Sequence, residues 1–158
     1  MQATALLKKQ HREVLALFKR AIKTEDPKAA KALVEETASH LRVHSQIEEE
    51  IFYPAVRGTE AAKADDMILE ALEEHHVVDL VLDELPTVNP AAESYRAKVT
   101  VLKELVEHHA QEEEEEMFPF AEKNLGQETL AELGKEMQAR VEQLQLEVQE
   151  EPRSRSAF

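Results

Sequence analysis

Cysteine is absent from the 158-residue chain, which excludes disulfides and thiolate metal sites and leaves the redox compartment unmarked. Glycine occurs three times and aromatic residues make up 4% of the chain. With Ala, Leu, Glu and Lys dominant, this is the composition of helices, and no segment reads as a strand. No apolar run approaches the roughly 18 residues of a membrane span, and no signal-type apolar region occurs, so a cytoplasmic protein is expected. Positive charge is scarce as well. Nineteen Lys and Arg against 33 Asp and Glu leave a formal charge of −14. Such a surface repels phosphate backbones and anionic lipid, so neither nucleic acid nor a membrane is an expected partner, whereas cations are favoured.

What the chain does have is one phrase written twice. His44, Glu48 and Pro54 recur 65 residues later as His109, Glu113 and Pro119, each copy with an acidic run and an aromatic between the Glu and the Pro. On an α-helix, residues four apart share a face, so each phrase aims an imidazole and a carboxylate at one point. An inward Glu costs several kcal/mol if it stays charged and unpaired, which calls for a metal or another cation.

The remaining periodicity supplies the frame. A first helix is expected over 3–23, with Leu7, Val14, Phe18 and Ile22 on one stripe and His11 among them. Asp26 and Pro27 have the chemistry of an N-cap and first helical residue, so a second helix should run from there to about Val56, carrying Leu33, Thr37, Leu41, His44 and Glu48 inward. His40 falls at the edge of that face. A third helix, 61–85, turns Ile68, Leu72, His75, Val78 and Leu82 inward and leaves His76 on a flank. Asp79, four after His75, reads as an inward acid. It either ligates a metal, accepts the ring N–H of a ligating His, or pairs with a neighbouring Lys or Arg.

Pro86 and Pro90 mark a rigid loop before a fourth helix over 91–123, which turns Leu102, Val106, His109, Glu113, Glu116 and Phe120 inward. Gly126 ends it. A fifth helix, about 127–149, carries Leu130, Leu133, Met137, Val141, Leu144 and Val148 at near-heptad spacing, to lie along the bundle, across its end or in a dimer contact. The expected domain is 1–150, with a metal-binding core over about 3–123 and a polar, disordered tail at 151–158.

The repeat also pairs His11 with His75, so the first two helices and the second two form equivalent halves. A pseudo-twofold bundle would gather His11, His44, Glu48, His75, His109 and Glu113 at its centre. Six inward polar groups without a cation would fill the core with unpaired dipoles and charges. Imidazole with carboxylate suits Fe, Mn or Zn, and bridging carboxylates favour two metals over one.

These residues resemble the hemerythrin-like cation-binding family over roughly residues 3 to 123. The resemblance implies an all-α, up-down-up-down four-helix bundle, here with an additional C-terminal helix, around a non-haem di-iron centre. It further implies that His11 and His44 ligate one iron, that His75 and His109 ligate the other, and that Glu48 and Glu113 bridge them. Oxygen-carrying hemerythrins usually have a second His where Asp79 stands, and His-x4-Asp in place of His109 and Glu113.

The expected function is therefore a di-iron protein that binds or reduces O2, peroxide or nitric oxide, as a sensor, scavenger or weak peroxidase, in a monomer or a dimer. Metal storage, a structural metal-binding interaction module and reversible O2 carriage are the alternatives.

Overall fold

The structure, a computed structural model, describes the backbone of residues 1–156 and the side chains of residues 1–149. The chain forms an up-down-up-down bundle of four rods with a C-terminal helical extension, and no strand occurs among the described residues. The first rod is α1 (Ala3–Lys23). Asp26 then caps the second by accepting the Ala29 N–H at 2.9 Å, with Pro27 at the first helical position where no N–H is needed. This rod is α2 (Pro27–Ile47), a π-helical turn (Glu48–Phe52) and α3 (Tyr53–Arg57) in unbroken succession.

The third rod is α4 (Ala62–Glu84), ended by a short 3₁₀ turn (Leu85–Thr87) at Pro86. The fourth is α5 (Glu93–Glu112), a second π-helical turn (Glu113–Met117) and the start of α6 (Phe118–Ser156). Gly126, at φ +82°, breaks α6 where the sequence places the end of the fourth helix, because only Gly takes that left-handed backbone without cost. Of the tail expected to be disordered, 151–158, the backbone continues α6 as helix through Ser156, and residues 157–158 lie outside the described residues.

Two apolar layers fill the bundle. One holds Leu7, Ile47, Phe52, Ile68, Met117 and Phe118; the other holds Val14, Phe18, Leu41, Val78, Leu102 and Val106. Each of the four rods contributes to both layers, and the residues between the layers are the polar ones. Apolar packing above and below therefore clamps a polar stratum that would not hold together alone.

Beyond Gly126, the last helix lies along the bundle. Leu130, Met137, Val141 and Leu144 join the first layer beside Ala3, Leu6 and Leu7, while Val148, at the end of that stripe, stays exposed. Arg140 adds a forked pair to Glu50 in the first π turn, at 2.8 and 3.2 Å. Gly134 is where the two segments come closest. A Cβ there would sit 2.0 Å from the Met1 carbonyl oxygen and 2.9 Å from the Ala3 nitrogen, both backbone atoms that cannot swing away. Gly134→Ala is expected to cost about 1–3 kcal/mol by overpacking, read as a lower denaturant midpoint at unchanged slope.

Candidate metal centre

The sequence's six inward residues converge. His11, His44, Glu48, His75, His109 and Glu113 are all buried, with Glu48 0% and Glu113 2% exposed. Ligand atoms of His11, His44, Glu48 and Glu113 lie within 4.8 Å of one another, and so do those of Glu48, His75 and His109. The two groups share Glu48.

The orientation of the four imidazoles is uniform. Every Nδ1 points outward to an oxygen acceptor: His11 to Glu114 at 3.1 Å, His44 to Gln10 at 2.7 Å, His75 to Glu49 at 3.0 Å and His109 to Glu74 at 2.9 Å. Donating the Nδ1 proton outward leaves a bare Nε2 lone pair facing inward on each neutral ring. There it meets more lone pairs. His11 Nε2 is 3.1 Å from Glu113 Oε1, His44 Nε2 and His75 Nε2 are each 3.2 Å from Glu48 Oε1, and His109 Nε2 is 3.2 Å from Glu113 Oε1.

Acceptors facing acceptors repel unless a proton or a metal cation stands between them. Consistently, His44 Nε2 and both Glu48 oxygens are buried without a hydrogen-bond partner, a rare condition for a fully enclosed carboxylate. The residues present thus fit a metal pair on geometry and on donor type.

In the metal-free chain, protons fill part of that role. Burial by itself lowers His11, His75 and His109, but hydrogen bonds to and charges on Glu113 and Glu48 outweigh it, leaving all three above the usual 6.5, and His109 well above. Burial likewise works to raise Glu48, yet His44 and its other neighbours hold the carboxyl well below its usual range. The raised His values contribute stability below about pH 6.5 that is lost as pH rises through them, and the depressed Glu48 contributes above its usual range. Metal needs the imidazoles neutral, so it competes with these protons. Metal-free protein is therefore expected to lose urea resistance as pH rises above about 6.5, through the raised values of His11, His75 and His109. Metal binding is expected to release protons, countable by titration at fixed pH, and to weaken on acidification.

Tyr53 is the site residue that the helical arithmetic missed. Its hydroxyl donates to Glu113 Oε2 at 2.8 Å and lies 3.2 Å from His75 Nε2 and 3.4 Å from His109 Nε2. Five residues beyond Glu48, it would face away on an α-helix. Within the π turn the Tyr53 N–H bonds the Glu48 carbonyl, five back, so position i+5 takes the place one turn above Glu48. The second π turn does the same with the Phe118 N–H and Glu113. Burial first, then the charges of Glu113 and Glu48, push the Tyr53 hydroxyl well above its usual range. The aromatic that precedes a Pro in each copy of the phrase was the available signal.

Two expected inward acids are corrected. Asp79 is exposed and belongs to neither group. Val78 takes the inward place on that turn, and one residue on is a rotation of about 100°. The Nδ1 acceptor proposed for Asp79 is instead Glu49, from another rod. Glu116 is exposed because the second π turn shifts the register, bringing Met117 and Phe118 inward. His76 is exposed as expected.

A small cavity of about 20 Å³ adjoins the imidazoles, walled by Val14, Leu41, Val78 and Val106. That is room for about one water-sized molecule.

The chain is 29% identical over 146 residues to the uncharacterized protein Rv2633c of Mycobacterium tuberculosis, covering 91% of this chain and 88% of that one. The crystal structure of a hemerythrin HHE cation binding domain-containing protein from Mycobacterium kansasii, a homolog of Rv2633c, superposes with a TM-score of 0.80 at 28% identity. That match covers 91% of this chain and 87% of the other. A DNA nickase of Nostoc sp. is 23% identical over 145 residues, 92% of this chain but 40% of the nickase, so the chain spans well under half of that relative. Residues 2–121 match the hemerythrin HHE cation binding domain, and the chain belongs to that family.

Proposed function

We propose that the protein is a non-haem di-iron protein that binds or reduces a small oxygen species, O2, peroxide or nitric oxide, as a sensor, scavenger or weak peroxidase. The observation that carries this reading is the set of bare Nε2 and carboxylate lone pairs enclosed in the bundle, which a cation pair would satisfy. His11 and His44 would hold one ion and His75 and His109 the other, with Glu48 and Glu113 between them. Tyr53, from its place beside His75 and His109, is a candidate donor to the second. Iron in that setting supplies one-electron chemistry with oxygen species, whereas Zn in the same residues would not. The adjoining cavity of about 20 Å³, which Val14, Leu41, Val78, Val106 and Ala110 line beside the imidazoles, supports a ligand as small as a diatomic or peroxide.

The nickase similarity does not favour a nucleic-acid reading, because a chain of net charge −14 meets phosphate with repulsion. No helix among the described residues is long and apolar enough to cross a membrane.

Anaerobic loading with Fe(II), then optical spectra after O2 and after peroxide, tests the proposal. New visible absorption with loss of peroxide supports it; an unchanged, colourless iron-loaded protein would contradict it.

A further inference from the structure

The pseudo-twofold repeat relates more than the inward residues, since it also relates the side chains that hold the imidazoles from outside. Glu49 accepts from His75 Nδ1, and its counterpart in the second phrase, Glu114, accepts from His11 Nδ1. Glu74, just before His75, accepts from His109 Nδ1; its counterpart just before His11 is Gln10, which accepts from His44 Nδ1. Three imidazoles therefore donate to carboxylates and one donates to a neutral amide. The bonds are alike in geometry, 2.9 Å for Glu74 and 2.7 Å for Gln10, so the break is in charge and not in placement.

A carboxylate that accepts the Nδ1 proton pushes electron density into the ring and makes Nε2 a stronger donor to a cation, and an amide oxygen does so less. Glu48 Oε1 lies 3.2 Å from both His44 Nε2 and His75 Nε2, and Glu113 Oε1 lies 3.1 Å from His11 Nε2 and 3.2 Å from His109 Nε2, so neither carboxylate is markedly nearer one half of the repeat. We infer that Glu74 and Gln10, as positioning residues that touch no metal, make the two metal positions unequal. The His75 and His109 position fills first and holds its ion more tightly; the His11 and His44 position fills second and exchanges more readily. The inference rests on the dinuclear reading above and adds to it an order of filling and its cause. Tyr53 lies on the same side, where the repeat offers Phe118 to the other, so the test must separate the two.

The experiment loads the full chain with ⁵⁷Fe(II) in fractions of an equivalent and follows Mössbauer spectra, with Zn(II) calorimetry in parallel as a redox-silent probe. In the unaltered chain one iron environment should grow to one equivalent before a second appears. Glu74→Gln should weaken the first Zn step about 10–100-fold and make the two iron environments grow together, and Gln10→Glu should strengthen the second step over a similar range with the same merging. Helical circular dichroism confirms that each variant is folded, and a purely structural role would not merge the spectra. The inequality is overturned if the two environments grow together in the unaltered chain, or if Tyr53→Phe merges them while Glu74→Gln and Gln10→Glu leave them apart. Saturation at a single ion would overturn the dinuclear reading and this inference with it, whereas two ions filling at equal affinity would overturn this inference alone.

Discussion

Protein loaded anaerobically with Fe(II) is expected to hold two ions per chain, and Glu48→Ala or Glu113→Ala to hold at most one. Both carboxylates are almost fully enclosed, and each lies about one hydrogen-bond length from imidazole nitrogens of both halves of the repeat. Removing either takes a negative charge from the place where two cations would sit side by side, so the loss should exceed that of one ligand bond. Loading should also stabilise the fold, because the enclosed lone pairs are assembled only in the native state. At a free-metal concentration 100-fold above Kd, one site contributes about 2.7 kcal/mol. For a chain of this size that is roughly 5–10 °C in Tm. Metal analysis after desalting and a thermal scan of loaded against chelator-treated protein check both statements. An unaltered metal content in Glu48→Ala would remove the carboxylate from the site.

The iron-loaded protein is expected to consume peroxide, and to be oxidised by O2 without release of the gas, instead of carrying O2 reversibly. The third rod lacks the second His of a carrier, and that turn presents Val78 inward with Asp79 in solvent. The Tyr53 hydroxyl from the second rod lies 3.2 Å from His75 Nε2 and would take part of the resulting gap. A phenolic oxygen is a harder donor than imidazole and favours the ferric state, which opposes reversible carriage. Tyr53→Phe should therefore raise the reduction potential of the loaded protein and remove any phenolate-to-iron absorption. An oxygenated spectrum that returns to the ferrous one under vacuum over repeated cycles would defeat this expectation.

The periodicities that were legible in the sequence are those that follow uninterrupted α-helical geometry. Leu7, His11, Val14 and Phe18, or Ile68, His75, Val78 and Leu82, keep one face for several turns, and all are buried. The same rule placed Glu48 four after His44 and Glu113 four after His109, because the α-helix persists up to each Glu. It failed past those residues. Glu116 was assigned inward, and Tyr53 was not assigned at all, since a π turn changes the count of residues per turn and composition does not announce it. Asp79 was misplaced for a different reason. A spacing of four allows a face within about 40° of its partner, and which side of that margin is inward depends on the packing of the neighbouring rod.

By itself the sequence determined the helical class, the two-fold repeat and the six inward polar residues, because each follows from composition or from spacing within one helix. Only the tertiary structure decided which acceptor holds each imidazole. Glu49, Glu74 and Glu114 are three exposed-looking members of acidic runs until other rods bring His75, His109 and His11 against them. Gln10 is an unremarked polar residue until His44 meets it. Those partnerships are distances between residues 26 to 103 positions apart, and a distance of that kind is set by how the apolar layers pack, which no local period records.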